Sequence, residues 1–165
     1  MIRRSSAVNR SSQEIGSILV KKSFTLSVCE SCTGGMLASI ITQVPGSSKY
    51  FLGGIIAYSN AIKRRIVGVQ SNVLKKFGAV SPEVARKMAQ GVQRTFKSDI
   101  GIGITGIAGP TGGSKKKPVG LVYISLSFKK HVLIRKHLFR GDRDQIRKRA
   151  CNEALSLLKC SLQSG

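Results

Sequence analysis

The sequence predicts one α/β domain, a three-layer α/β/α sandwich with a mixed, mostly parallel sheet that ends in an antiparallel hairpin. Strand-like and helix-like segments alternate along most of the chain, as they do in parallel sheets covered by helices. Near the carboxyl end, two strand-like runs over 119–128 and 131–139 are separated only by Lys129-Lys130, which favours a hairpin. A length of 165 residues fits a single domain over 1–165.

The amino-terminal third supplies the first elements of this pattern. Residues 1–11 are basic and serine-rich, and we expect them to form a flexible tail. They lack the apolar core of a secretory signal. Apolar spacing then predicts a helix over 12–22, a strand over 24–29 and a second helix over 33–43, which ends at the turn 44–48.

The middle of the chain predicts one more strand and two helices. An apolar run over 50–58 indicates a strand in which Gly53-Gly54 marks a bulge or a close approach. A basic helix that carries Lys63 follows it. Ser81 is suited to cap a further helix, which begins at Pro82 and ends near Lys97.

The strand predicted over 99–105 alternates isoleucine with glycine, so we expect it to pass closely beneath another element. A glycine-rich loop over 106–117 follows, and the hairpin comes next. Asp142 opens the last helix, which is expected to end near Leu158.

The net charge of +21 is the strongest compositional feature and favours anionic partners. The charges are spread along the chain, tryptophan is absent and aromatic residues make up only 5%. Specific nucleic-acid binding is therefore not favoured, because single strands need aromatic stacking surfaces. No apolar run is long enough to cross a bilayer, so no membrane association is expected.

The four cysteines do not predict a disulfide framework or a metal site. Cys29 and Cys32 have the spacing of a redox or zinc pair, but Cys151 and Cys160 lie too far apart on one predicted helix to complete a zinc site. We expect buried, inert thiols and a reduced, cytoplasmic setting.

The segment Cys29–Gly35 joins a strand to a helix and is the strongest candidate for chemistry. Ser31 lies just before the predicted helix, where unpaired N–H groups favour a nucleophile or an anion. Thr33 is suited to cap that helix, and Gly34 and Gly35 permit a sharp turn. A simple strand–turn–helix junction fits the same residues.

Three other stretches can carry chemistry, 58–63 and 105–114 at the carboxyl ends of predicted strands and 139–143 where a helix begins, and we expect at least three of the four stretches to converge. Ligands of open α/β sheets bind beyond the carboxyl ends of strands, so these stretches can converge with Ser31. Both histidines, His131 and His137, lie on the basic hairpin rather than in a motif. If Ser31 is a nucleophile, its base is therefore best sought among the lysines, and Lys63 is the candidate.

Several short motifs occur together in an order that resembles one family. They are 30–35, 44–48, 58–60, 78–81, 105–110, 117–120 and 141–143. In these motifs, over about residues 12–160, the chain resembles the CinA C-terminal domain, the nicotinamide-nucleotide amidase family. The resemblance implies hydrolysis of nicotinamide mononucleotide to nicotinate mononucleotide and ammonia, without a metal or other cofactor. It also implies a homo-oligomer, and a standalone form of a domain that other members carry behind a larger amino-terminal domain.

The same resemblance assigns roles to individual residues. It implies that Ser31 is the nucleophile, that Lys63 is its base and that Tyr58 relays or orients the proton. We expect the oxyanion hole among the backbone N–H groups around Thr33, Gly34 and Gly35. The remaining expected substrate contacts are Ser48, Asn60, Thr105, Gly106 and Arg143.

Two other functions stay open from the sequence. One is a relative that binds a nucleotide without turning it over. The other is a basic protein that binds nucleic acid. Ammonia release and a gel-shift assay distinguish them.

Overall fold

The structure, a computed structural model, describes residues 5–163, with side chains from Arg10 onward. The helices are α1 (Ser5–Lys22), α2 (Met36–Thr42), α3 (Asn60–Arg65), α4 (Ser71–Phe77), α5 (Pro82–Phe96) and α6 (Arg143–Gln163). The strands are β1 (Leu26–Glu30), β2 (Phe51–Ile56), β3 (Ile100–Gly106), β4 (Leu121–Phe128) and β5 (His131–Leu138). Within this range, no helix has both the length and the apolar character needed to span a bilayer.

The five strands form one sheet in the order β2-β1-β3-β4-β5. Strand β1 lies between β2 and β3 and is parallel to both. Strand β4 is antiparallel to β3 and forms a hairpin with β5. The predicted mixed sheet with a terminal hairpin is confirmed. The expected bulge is also present, since Leu26 pairs with Phe51 but the next residue, Ser27, pairs with Gly53.

Helices cover both faces of the sheet and complete the three layers. Helices α1, α2 and α6 enclose the larger apolar cluster, which includes Leu37 and Leu158. Helix α5 covers the opposite face against β1, β3 and β4, with α4 beside it. Val84 and Met88 of α5 belong to the smaller cluster on that face.

The glycines of β3 allow α5 to lie directly on the strand. A Cβ atom added at Gly101 would lie 2.2 Å from the carbonyl oxygen of Ala89, and one at Gly103 would lie 2.5 Å from that of Ala85. No side chain fits in so little space. The prediction that this strand passes closely beneath another element is confirmed.

The ends of the chain and one short helix differ from the expectation. Helix α1 begins at Ser5, so residues 5–11 are helical rather than a flexible tail, and residues 1–4 lie outside the described part. Helix α4 was not predicted, because the segment Ser71–Phe77 is short and has no buried residue to reveal a periodic pattern. Helix α6 continues to Gln163, beyond its expected end.

Candidate active site

A cavity of about 280 Å³ opens where the parallel strands β1, β2 and β3 end. Ala79, Val80 and the loop after β3 form much of its wall. The cavity brings together seven of the predicted site residues, namely Ser31, Tyr58, Asn60, Lys63, Thr105, Gly106 and Arg143. A larger groove of about 370 Å³ between the β4–β5 hairpin and α6 contains none of them.

Ser31 is fixed at the end of β1 with its hydroxyl group at the cavity. Its backbone N–H donates to the carbonyl oxygen of Ile104 at 3.0 Å, which continues the pairing of β1 with β3 by one residue. The residue is 9% exposed. Its Oγ accepts a hydrogen bond from Nζ of Lys63 at 3.1 Å.

Lys63 is buried on α3, the helix that follows β2. Ser59 caps this helix, because its Oγ accepts the N–H of Ile62 at 3.3 Å. The lysine is only 2% exposed. Its Nζ donates to the carbonyl oxygen of Ala57 at 2.7 Å as well as to Ser31. These two contacts hold the amine against the serine hydroxyl.

Burial lowers the pKa of Lys63 from its ordinary value, because the charged form loses its hydration. The neighbouring thiols of Cys29 and Cys32 do not oppose this at neutral pH. Burial raises the pKa of each thiol to about 12, so both remain uncharged while Lys63 titrates. The site therefore favours a neutral amine beside a hydroxyl group.

Glu30, rather than Thr33, caps α2. Its carboxylate is 1% exposed and accepts the backbone N–H groups of Gly35, Leu37 and Ala38 at 3.0, 3.1 and 2.8 Å. Negative charge at a helix amino terminus is favourable because it meets the positive end of the helix dipole. The expectation that the helix begins at Thr33 is wrong, since Met36 is its first residue.

The same contacts exclude part of the expected oxyanion hole. The N–H of Gly35 donates to Glu30, and that of Gly34 donates to the carbonyl oxygen of Ser31 at 3.1 Å. Neither glycine lines the cavity, nor does Thr33. The structure therefore does not bring Thr33, Gly34 and Gly35 to the cavity wall, because this turn holds α2, and their assignment to substrate binding stays a prediction.

Arg147 of α6 fastens the turn that carries Ser31 from its other side. Its guanidinium donates to the carbonyl oxygen of Thr33 through Nη2 at 2.8 Å and Nε at 3.3 Å. Glu30, at the end of β1, and Arg147, on α6, thus both hold the turn that carries Ser31. Ser31 is therefore fixed on the strand side and on the helix side.

Tyr58 and Arg143 form the opposite side of the cavity mouth. Nη2 of Arg143 donates to the Tyr58 hydroxyl at 2.9 Å, and Nη1 donates to the carbonyl oxygen of Gly109 at 2.6 Å. The described contacts of the tyrosine hydroxyl thus run to Arg143 rather than to Ser31 or Lys63. Arg143 joins the end of β2 to the glycine-rich loop.

Thr105 supports the cavity wall. Its side chain is buried, and its Oγ1 donates to the carbonyl oxygen of Ala79 at 2.8 Å. Gly106 continues the wall at the end of β3, and Asn60 lies at the amino end of α3.

Ser48 is not part of this cavity. It lies in the 3-10 turn Ser47–Lys49, which precedes β2, whereas the cavity lies beyond the carboxyl end of that strand. The side chain is exposed at the other end of the sheet. The structure does not place Ser48 with the other predicted site residues, and its assignment to substrate binding stays a prediction.

Three of the four cysteines have the buried environment that was expected of inert thiols, whereas Cys160 is exposed, so the expectation of burial is wrong for it. Cys29, Cys32 and Cys151 are buried, and burial raises the pKa of Cys151 as it does for the other two. Among the described residues, no group of three or more His, Cys, Asp or Glu side chains is arranged to hold a metal ion.

A family model for the CinA C-terminal domain matches residues 8–162. The chain belongs to the CinA C-terminal domain family. A relative of the CinA domain from Moorella thermoacetica, named a competence-damage inducible protein, is 54% identical over 149 residues, which are 90% of this chain and 36% of the relative. The CinA-like protein of Endomicrobium trichonymphae is 49% identical over 147 residues, 89% of this chain and 34% of its own. This chain therefore spans about a third of the length of these relatives.

Solved CinA structures share the fold over nearly the whole chain. The competence/damage inducible protein CihA from Agrobacterium tumefaciens superimposes with a TM-score of 0.91 at 34% identity, covering 94% of this chain and 95% of that one. A CinA superfamily protein from Klebsiella pneumoniae gives 0.92 at 26% identity, covering 96% and 99%.

Three residues that shape this CinA domain's site were missed in the sequence. Glu30 lies directly before Ser31, and an acidic residue just ahead of a helix is a recognised signal for its amino terminus. Arg147 and Lys117 act from distant positions in the chain, Arg147 through Thr33 and Lys117 through the carbonyl oxygens of Phe77 and Val80. Only the fold brings them to the site, so no local pattern identifies them.

Glu30→Gln is expected to lower the free energy of unfolding by about 2–4 kcal/mol, because an amide replaces a buried carboxylate that accepts three N–H groups. Urea denaturation measures the effect. Glu14→Gln is the matched control, since Glu14 is an exposed glutamate on α1 whose surface ion pair with Lys159 contributes at most about 1 kcal/mol. Equal denaturation midpoints for the two variants contradict the role given to Glu30.

Proposed function

We propose that this CinA-family chain is an amidohydrolase that converts nicotinamide mononucleotide to nicotinate mononucleotide and ammonia by a Ser-Lys mechanism. The observation that carries the proposal is the buried amine of Lys63, 3.1 Å from the hydroxyl of Ser31 at the wall of a cavity. A lysine with lowered pKa beside a serine is the arrangement that a nucleophile and its base need.

In the first half of the reaction, neutral Lys63 accepts the proton of Ser31 as Oγ attacks the amide carbon. The tetrahedral intermediate then collapses, the C–N bond breaks, and Lys63 returns the proton to the departing nitrogen so that ammonia leaves. The product is an ester between Ser31 and the nicotinate group. A lysine with an ordinary pKa would be protonated and could not begin this sequence.

In the second half, a water molecule attacks the ester carbon while Lys63 accepts its proton. The ester C–O bond breaks, Ser31 recovers its proton from Lys63, and nicotinate mononucleotide is released. The contact between Nζ and the Ala57 carbonyl oxygen occupies one N–H of the amine. The remaining contact of Nζ is with Ser31, so once the amine is neutral this contact can reverse, with the Ser31 hydroxyl donating to Nζ as proton transfer requires.

The oxyanion of each intermediate needs donors that line the cavity. Cys32, the residue after the nucleophile, lines it, and so does Asn60. The backbone N–H of Cys32 and the side-chain amide of Asn60 are the donors that we assign to this role, in place of Gly34 and Gly35. One such donor contributes about 3–4 kcal/mol to catalysis.

We assign the phosphate of the substrate to the Arg143 side of the cavity. The two protein contacts of Arg143 use two of its five N–H donors, so others are left for an anion. Thr105 and Gly106 lie on the same wall. A guanidinium group suits a phosphate because it donates two parallel hydrogen bonds.

Nicotinamide riboside, which lacks the phosphate, is expected to have a kcat/KM about ten- to a hundredfold lower than that of the mononucleotide. Arg143→Ala should reduce this preference, mainly by impairing the phosphorylated substrate. Both substrates are measured at low and high salt, because attraction by the net charge of +21 is screened and a built site is not. A preference that disappears at high salt and does not depend on Arg143 rejects the phosphate site.

The experiment that tests the proposed function is chromatographic analysis of the mononucleotide incubated with the purified protein. Nicotinate mononucleotide is the expected product. A gel-shift assay with short duplexes at physiological salt tests the competing nucleic-acid function, which the net charge of +21 favours. Tight duplex binding without conversion of the mononucleotide supports that alternative.

A further inference from the structure

A single ammonium group joins two segments that are distant in sequence. Nζ of Lys117 donates to the carbonyl oxygen of Phe77 at 2.6 Å and to that of Val80 at 2.7 Å. Lys117 ends the glycine-rich loop after β3, and its side chain is partly buried. The two carbonyl groups belong to the connection between α4 and α5, which we call the 77–80 turn.

The other two carbonyl groups of the 77–80 turn also accept side-chain hydrogen bonds. Oγ of Ser81 donates to Gly78 at 3.1 Å, and Oγ1 of Thr105 donates to Ala79 at 2.8 Å. Phe77 ends α4 and the N–H of Gly78 donates to the carbonyl oxygen of Leu74, but residues 78–80 have no regular secondary structure. The position of these residues therefore depends largely on the side-chain contacts, and Lys117 supplies two of the four.

The 77–80 turn and the glycine-rich loop are both walls of the cavity that contains Ser31. Ala79 and Val80 line it from the turn, and Ile107 and Gly109 line it from the loop. We propose that Lys117 is a positioning residue that fixes the distance between these two walls and thereby sets the affinity for the substrate. The kinetic part of this proposal rests on the proposed function, whereas the structural part does not.

The glycine at position 78 leaves room for the ammonium group of Lys117 beside the 77–80 turn. Gly78 has a φ of +76°, and a Cβ atom there would lie 2.9 Å from Nζ of Lys117. Lys115 and Lys116, by contrast, are exposed in the same loop. They are matched controls, because they share the charge and the segment but not the buried contact.

Lys117→Met removes the donors while keeping a long side chain. We expect KM for nicotinamide mononucleotide to rise about tenfold, as the loss of charge-assisted hydrogen bonds implies, with kcat changed less than about threefold. KM is expected to change more than kcat because the substitution does not alter Ser31 or Lys63. Lys117→Arg should recover part of the affinity, since it also carries donors, and Lys116→Met should match the wild type.

Hydrogen exchange tests whether Lys117 holds the two walls together, an arrangement that we call the clamp, and it requires no turnover. In Lys117→Met, backbone amides of 77–81 and of 107–114 should exchange faster than in the wild type, and in Lys116→Met they should not. If Lys117→Met does not fold, Lys117→Gln is used, because it removes the ammonium group while keeping a polar side chain.

Equal exchange in the Lys117 and Lys116 variants overturns the clamp, as does a fall in kcat with unchanged KM. A wild-type protein that releases no ammonia refutes the proposed function instead, and the exchange comparison still decides the clamp.

Discussion

Ser31→Ala is expected to abolish ammonia release from nicotinamide mononucleotide, lowering kcat by at least about 10³-fold, as removal of a catalytic nucleophile does. The serine hydroxyl forms the bond to the substrate in the proposed reaction, and alanine has no atom that can replace it. The contact of Lys63 with Ala57 does not involve the serine, so it is kept. Rates are measured by coupled detection of ammonia.

The fold of the Ser31→Ala variant should be unchanged, because Ser31 is held through its backbone contact with Ile104 rather than through its hydroxyl group. Circular dichroism and thermal melting check this. Ser48→Ala is the matched control, since Ser48 is exposed at the other end of the sheet, and it should be fully active. An active Ser31→Ala enzyme rejects Ser31 as the nucleophile.

Lys63→Arg is expected to lower kcat about 10²- to 10⁴-fold, the usual contribution of a general base. Arginine keeps the positive charge but does not give up its proton at any relevant pH. The variant therefore separates a base from an electrostatic anchor. Substantial activity in Lys63→Arg means that the lysine only stabilises charge.

The pH dependence follows from the lowered pKa of Lys63. The reactive form is the neutral amine, so activity should rise with pH through that pKa and level off below the titration of an ordinary lysine. A pH–rate profile of kcat/KM measures it. A rise only near the ordinary lysine pKa contradicts a desolvated base.

The lowered pKa of Lys63 also predicts how the stability of the fold depends on pH. The folded-state pKa of Lys63 lies below the unfolded value, so between the two the unfolded chain binds more protons and stability increases with pH. Lys63→Met removes this penalty. We expect an inactive variant that is at least as stable as the wild type at neutral pH, and a large loss of stability would mean that the amine contributes more to the fold than to catalysis.

Most of the fold follows from local patterns that packing reinforces. The alternation of isoleucine and glycine in β3 identified a strand that lies closely beneath α5. Helix α4 was not predicted because its seven residues are too few for a periodic pattern to be recognised, although Val73 and Leu74 pack against the smaller cluster. The expected tail proved to be helical from Ser5 because a basic, serine-rich composition does not exclude a helix.

The candidate site was predictable only where its residues follow parallel strands. Ser31 follows β1, Lys63 lies on the helix after β2, and Thr105 lies at the end of β3. Because these strands are parallel and adjacent, the topology brings the three residues together. Ser48 precedes its strand, and a motif alone does not tell which end of a sheet it occupies. The N–H groups of Gly34 and Gly35 already have partners within the turn, the carbonyl oxygen of Ser31 and the carboxylate of Glu30, which no local pattern in the sequence indicates.

The most direct test of a Ser31–Lys63 amidase is ammonia release from nicotinamide mononucleotide by the purified protein, with Ser31→Ala as the blank and nicotinate mononucleotide quantified in the same samples. The mechanism predicts one ammonia for each nicotinate mononucleotide formed, and neither product in the blank. Wild-type samples with no ammonia above the blank, or with ammonia and no nicotinate mononucleotide, contradict it.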